Sequence, residues 1–290
     1  MNISRSIVEK RTLGVLRWIV IVTLVVATVF PFYYMVELSL VPIQELLLHP
    51  ERLWVPIQNW TISTYETVLK SEDNGGEGFA RFMANSALVA LATVLITMIV
   101  AIPGSYAVAR LKFFGKRQIS ALFLAVYLFP VIIIAIPLFV GFSVIGLGDS
   151  LIGLVIVYVA QTIPVSIFML RTYLTTIPVS IEEAAMVEGA GRLRILRSII
   201  IPLSMPTIMS TALYVFMIAW NEFLFALLFL TADRPLWTVS LGLSQLSNGI
   251  EVPKTILMAG SVLLTVPIVV LYGFAERSLT EGLTSGADKS

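Results

Sequence analysis

Six stretches of this chain are long and apolar enough to cross about 30 Å of hydrocarbon, which takes roughly 20 helical residues. They run approximately Arg17–Leu40, Phe82–Ala109, Gln118–Phe142, Leu151–Leu170, Leu203–Leu230 and Thr255–Ala275. Composition agrees: 58% of residues are hydrophobic and 13% charged, and mean hydropathy is +0.93. Soluble domains average about 45–50% and 25%. Because a backbone in lipid must satisfy its own hydrogen bonds, runs of this kind fold as helices. The expected class is an all-α membrane protein with six transmembrane helices.

Basic residues mark the sides of the membrane. Arg5, Lys10, Arg11 and Arg17 precede or open the first run, and Arg110, Lys112, Lys116 and Arg117 fill the short loop after the second. Arg171, Arg192, Arg194 and Arg197 follow the fourth, with Arg277 and Lys289 in the tail. The alternate loops hold only Arg52, Lys70, Arg81, Arg234 and Lys254. The positive-inside rule therefore places both termini and the loop after the fourth run in the cytoplasm. A different number of spans would put a basic loop outside. The first run exceeds the 7–15-residue apolar core of a cleaved signal, and no small-x-small site follows it, so it reads as a retained helix. The organisation is then a cytoplasmic N-terminal tail over residues 1–16, a membrane domain over 17–275 and a cytoplasmic tail over 276–290.

Several chemistries are excluded. The chain has no cysteine and a single histidine, His49, which removes disulfides, thiolate sites and two-histidine metal sites. Gly115-Lys116-Arg117 lacks the upstream glycine and the hydroxyl of a phosphate-binding loop, so ATP binding by that route is not expected. There is no Gly-x-Ser-x-Gly, and a net charge of +1 leaves no nucleic-acid footprint. The chain reads as a non-enzyme with no cofactor of its own.

The loop over residues 171–202 is a polar excursion between apolar spans. Pro178 stops the preceding helix from running through. Ser180 and Glu183 form a capping-box pattern for a short helix, and Glu182 and Glu183 sit in its first turn, where the helix dipole favours negative charge. Gly189 ends that helix, since it tolerates positive φ. Ile181, Ala184, Ala185 and Glu188 share a face with small residues at its centre, and a second helical piece over about Arg192–Ile200 leads through Pro202 into the fifth span. Such a low-profile helix suits a groove in another protein; the bland alternative is a surface re-entry loop.

The spacing Glu183-Ala184-Ala185, three residues, Gly189, nine residues, then Ile199-Ile200-Ile201-Pro202 resembles the EAA signature of ABC-importer permeases. Within that group the chain resembles the carbohydrate-uptake, maltose-type branch, also through Ala219-Trp220-Asn221-Glu222-Phe223 and the tail Gly282-Leu283-Thr284-Ser285-Gly286-Ala287. Glu188 stands where the family more often has Asp, and Leu196 where Phe is usual. The resemblance implies that Glu182, Glu183, Ala184, Ala185, Glu188, Gly189 and Ala190 form the coupling helix that fits a cleft in the cytoplasmic ATPase. It further implies a second, non-identical permease, two ATPase subunits that bind the ATP, an extracytoplasmic solute-binding protein, and residence in the bacterial inner membrane. The cargo would be a sugar, most readily a di- or oligosaccharide, with a glycerol-phosphate-type solute as the runner-up. A tail without an apolar face would be disordered alone; the resemblance implies that it inserts between the ATPase subunits.

Other readings stay open. Glu222 is an ionisable residue at membrane depth, counted about 28 Å along a straight helix from Leu203. Either it lines the pathway with Asn221, Gln161 and Thr162, or it has a packing or interfacial role. In the maltose-type pair, sugar contacts come mainly from the partner permease. Pro130 and Pro137 are expected to bend the third span. Trp54, Trp60 and Tyr65 read as interfacial anchors, and Thr231–Lys254 as an exposed loop. A stand-alone secondary transporter would need coupling-ion carboxylates and often repeated halves; Glu222 alone and no evident repeat argue against it.

Overall fold

A computed structural model describes residues 3–48, 54–116, 118, 121–122, 130–248 and 253–287; of residues 3–10, 248 and 276–287 only the backbone is described. Every regular element among them is helical. Four helices have the length and composition to cross a membrane: Arg11–Leu40 within α1 (Ile3–Leu40), α4 (Phe79–Arg110), α6 (Leu151–Leu174) and Lys254–Ala275. The pair α8 (Arg192–Leu203) and α9 (Met205–Asn221) makes a fifth if counted as one span, although it bends by 79°. The intervening short elements are α2 (Ile43–Leu48), α3 (Ser63–Leu69), α5 (Val131–Val144) and α7 (Val179–Val187). After α9 come α10 (Leu224–Leu230), α11 (Val239–Asn248) and α12 (Lys254–Ala287).

The expected spans differ from these elements in instructive ways. Most of residues 118–129, the first half of the third expected span, lies outside the described residues, and α5 alone is too short to cross. Pro130 stands immediately before α5, with Pro137 inside it. The fifth expected span is not one helix: it breaks at Ser204 and again at Glu222. At Ser204 the cause is local. Pro206 has no amide to donate, and its ring crowds the carbonyl four residues back, so the helix kinks there. A π-helical turn over Leu196–Ile200 precedes the kink. The backbone of α1 is already helical from Ile3, and that of α12 runs past residue 275 to Ala287, so neither expected tail is marked off by a helix end.

The chain divides into two compact units, one of Met1–Glu77 with Leu246–Leu263 and one of Gly78–Gln245 with Leu264–Ser290. In the first, α1 turns long apolar side chains such as Trp18, Leu24 and Val29 outward along most of its length. Its last turns hold the segment that follows. Buried Glu37 accepts the Val55 amide at 2.7 Å, and the Leu40 carbonyl accepts the Thr61 amide at 2.7 Å. Tyr65, expected as an interfacial anchor, shares a hydrogen bond of 2.7 Å with Ser39, and Trp60 donates to the Val55 carbonyl at 3.3 Å. Trp54 keeps an exposed ring against Tyr33.

In the second unit α4, α6 and α9 pack together. Met98, Ala101 and Val108 of α4 meet Ile167 and Leu170 of α6 and Ile208 and Val215 of α9. A hydroxyl pair, Thr97 and Thr162 at 2.9 Å, joins α4 to α6, as small polar residues do between membrane helices. The segment expected as an exposed loop after α10 is instead anchored. Asn85 donates to the carbonyls of Pro235 and Trp237, both at 2.9 Å, and the Val239 amide donates to Ser86 at 2.8 Å. Val239 and Leu241 are buried on α11. Gly242 allows this: a β-carbon there would stand 2.5 Å from the Phe82 ring.

Candidate functional site

Helix α7 is built from local rules, though not quite the expected ones. Pro178, at φ −59° and ψ 131°, is itself the N-cap residue, and no side chain caps the helix. Ser180 therefore lies inside the first turn, and the capping box with Glu183 does not form. The reason is that Pro178 already supplies the extended geometry of a cap, while its carbonyl accepts the Ile181 amide at 3.3 Å. At the other end the Ala190 amide donates to the Ala185 carbonyl at 2.9 Å and the Gly189 amide to the Met186 carbonyl at 3.0 Å. These two bonds are a Schellman closure, and Gly189 sits at φ +84° in the left-handed region.

The two adjacent glutamates part company. Glu183 is exposed, whereas Glu182 is the one residue of α7 that is buried. Its Oε1 accepts from Arg110 Nε at 2.6 Å and its Oε2 from the Tyr106 hydroxyl at 2.9 Å. A second nitrogen of Arg110, Nη2, donates to the Ile177 carbonyl at 2.7 Å. Both charged side chains are largely removed from solvent, with 11% and 4% of their surface exposed. Deleting one partner of a buried pair costs roughly 3–5 kcal/mol, because the other charge is left uncompensated.

Around the ion pair lies an apolar knot of Tyr106, Leu174, Ile177, Ile195 and Ile200, against which Ala185, Ala190 and Leu196 pack. Ala185 thus belongs to the inner side of α7, and Ala184 to the outer. The outer side also carries Val179, Ile181, Met186 and Val187, the last 89% exposed, beside exposed Glu183, Glu188 and Gly189. The small face read from the sequence is therefore split between the two sides. The loop is fastened to the helices of the second unit on one side and offers an apolar, acid-edged surface on the other.

Glu222 lies at the second break. Its backbone is extended, at φ −63° and ψ 131°, between α9 and α10. Its Oε1 accepts the Phe225 amide at 2.9 Å, and its Oε2 accepts the Ala226 amide at 3.2 Å and the Tyr158 hydroxyl at 2.5 Å. Ser240 donates to its carbonyl at 2.6 Å. The carboxylate satisfies first-turn amides of α10 that lipid could not, and negative charge suits a helix N-terminus. The straight-helix count from Leu203 does not hold, since the chain turns at Ser204. Asn221 is exposed and donates to the Met217 carbonyl at 2.9 Å. Gln161 lies one turn beyond Tyr158 on α6, and its Oε1 is buried without a hydrogen-bond partner. Among the described residues no three His, Cys, Asp or Glu side chains converge to hold a metal ion.

Arg110 and Tyr106 escaped the sequence reading. Arg110 counted there only as one charge of a basic loop, and nothing local marks it as the partner of a residue 72 positions away.

Residues 94–281 match the family described as binding-protein-dependent transport system inner membrane component. The chain is 36% identical over 265 residues to the inner membrane ABC transporter permease protein YcjP of Escherichia coli, covering 91% of this chain and 92% of that protein. It is 34% identical to the trehalose/maltose transport system permease protein MalG of Thermococcus litoralis, over 92% of this chain and 94% of the other. The trehalose transport system permease protein SugB of Mycobacterium tuberculosis is 33% identical, with 94% and 97% covered. Among solved structures, a chain of a bacterial ABC transporter for import of the acidic polysaccharide alginate superposes with a TM-score of 0.78 at 21% identity, covering 93% of this chain and 97% of that one. A chain from an alginate transporter in complex with a pentasaccharide-bound periplasmic protein superposes at 0.66 and 15% identity, covering 95% and 96%.

Proposed function

The chain belongs to the family of inner-membrane components of binding-protein-dependent transport systems, and from that premise we propose that it forms half of the translocation pathway for a di- or oligosaccharide. The other half is a second, non-identical permease. Two ATPase subunits bind and hydrolyse the ATP, and an extracytoplasmic binding protein delivers the sugar. The observation that carries this reading is the two-sided α7: pinned inside by Glu182, closed at Gly189, and open outside over Ile181, Glu183, Ala184, Met186, Val187 and Glu188. A short helix with an exposed apolar face and a buried anchor is suited to be gripped in a cleft and to pass on what the cleft does. Relatives named for trehalose and maltose transport, and a fold neighbour that imports alginate, support the substrate class. Of the expected set, Gln161 has a side-chain oxygen left free to accept from a sugar hydroxyl, while Asn221 and Glu222 lie much later in the chain, at the end of α9 and the break after it.

The test is reconstitution of this chain with its cognate permease, ATPase subunits and binding protein in proteoliposomes. ATP-dependent uptake of a sugar that the binding protein retains is the expected result. Retention of the sugar without ATP-dependent uptake would overturn the reading.

Six spans, with both termini and α7 in the cytoplasm, complete the proposal. The basic loops support it, as do the bent α8–α9 pair and the apolar composition of α5. The chain has no native cysteine to interfere with labelling. A membrane-impermeant thiol reagent added outside is expected to label a cysteine placed at Asn248 and to miss one at Gly115. The opposite pattern would invert the topology.

A further inference from the structure

We propose that the Tyr106–Arg110–Glu182 cluster carries motion of α7 into α4, making Glu182 a positioning residue within the chain and not a contact to the ATPase. The inference rests on the docking reading of α7. Two routes lead from that helix into the membrane helices. One is the chain itself, through α8 to α9; it contains the π turn at Leu196–Ile200 and the 79° bend at Ser204. Irregular turns of this kind are where helices flex. The other runs through space, and it is short and directional. Glu182 engages both carboxylate oxygens, and Arg110 holds both Glu182 and the Ile177 carbonyl just ahead of the helix.

On the far side of this link, Tyr106 and Arg110 are four residues apart, hence one turn apart on the same face of α4. That helix is 32 residues long, about 48 Å, and packs along both α6 and α9. A displacement imposed at its end therefore reaches the core of the unit. The apolar knot at Leu174, Ile177 and Ala185 would keep α7 in place without Glu182, but dispersion contacts have little direction and permit sliding. A charge-assisted pair fixes angle as well as distance. Arg110 suits the task where Lys would not, because its planar fork supplies separate donors to Glu182 and to Ile177.

The experiment compares Glu182→Gln and Tyr106→Phe, singly and together, in the full complex in proteoliposomes, reading sugar imported per ATP hydrolysed alongside recovery of the ATPase subunits. Since the docking face is untouched, ATPase subunits are expected to co-purify with Glu182→Gln as with the native chain. The import ratio is expected to fall on the order of tenfold, the effect of one hydrogen bond to a charged group. Tyr106→Phe removes the hydroxyl that donates to the same carboxylate, again one hydrogen bond to a charged group, and its expected loss is likewise on the order of tenfold. The double variant is expected to be no worse than Glu182→Gln alone, because both act through one carboxylate. An unchanged ratio in Glu182→Gln, or two losses that multiply independently, would overturn the inference. If Glu182→Gln cannot be recovered intact, Tyr106→Phe decides, and a native ratio in it counts against the link. Failure of the docking reading shows elsewhere, in a Gly189→Asp variant that assembles and transports normally.

Discussion

Gly189→Asp is expected to insert and fold but to abolish sugar uptake. The glycine sits at φ +84°, where a side chain costs about 1–2 kcal/mol, and less for Asp and Asn, which visit this region most readily. Nothing lies within 4 Å of the position its β-carbon would take, so no clash adds to that cost. Strain alone would therefore leave α7 formed. The loss comes from what the new side chain does on the exposed surface: it adds bulk and a second carboxylate beside Glu188, on the face proposed to enter the ATPase cleft. Gly189→Ala separates the two effects, since it brings the strain without the charge or reach. Its uptake is expected to stay within about tenfold of native, the cost of the strained φ. Complex recovery, ATPase rate and uptake, measured on one preparation, decide the matter. Native uptake by Gly189→Asp would remove α7 from the coupling role.

Glu222→Ala is expected to lower stability by roughly 3–5 kcal/mol, a loss as large as that for breaking the buried Arg110–Glu182 pair. One carboxylate accepts the Phe225 and Ala226 amides and the Tyr158 hydroxyl, and hydrogen bonds to a charged group contribute about 1.5–3 kcal/mol each, with incomplete additivity. In lipid the freed amides find no water to replace it. The measurement is the fraction of detergent-solubilised chain that stays monodisperse after a temperature ramp. Glu222→Gln keeps an acceptor for the α10 amides and is expected to recover most of the loss, with uptake within about tenfold of native, the effect of one charged hydrogen bond. If Glu222→Ala resists heat like the native chain yet loses transport, the carboxylate serves the pathway and not the helix cap.

The membrane class, the approximate places of four of the spans and the existence of α7 were legible in the linear chain. Each depends on interactions within a few residues, or on transfer of a continuous segment into hydrocarbon, and neither needs a tertiary partner. Gly189 is the clearest case, because a helix end that needs positive φ selects its residue locally. The breaks at Ser204 and Glu222 were only half legible. Pro206 signals a kink, but its size depends on what α8 and α9 pack against. Glu222 stood out as a costly charge, and the amides it caps are supplied by a helix break that apolar patterning does not show.

Which glutamate of the adjacent pair turns inward could not be read from the sequence at all. Neighbouring residues on a helix point about 100° apart, and at Glu182-Glu183 both have the same chemistry. The choice falls to Arg110 and Tyr106, more than 70 residues earlier, brought beside α7 by the packing of α4 against α6. Composition and local spacing thus determined that this chain is a membrane helix bundle with a short amphipathic helix between spans. Tertiary packing alone decided how that helix is held and which of its faces is left open, because a buried ion pair forms only where the fold has already removed both charges from water.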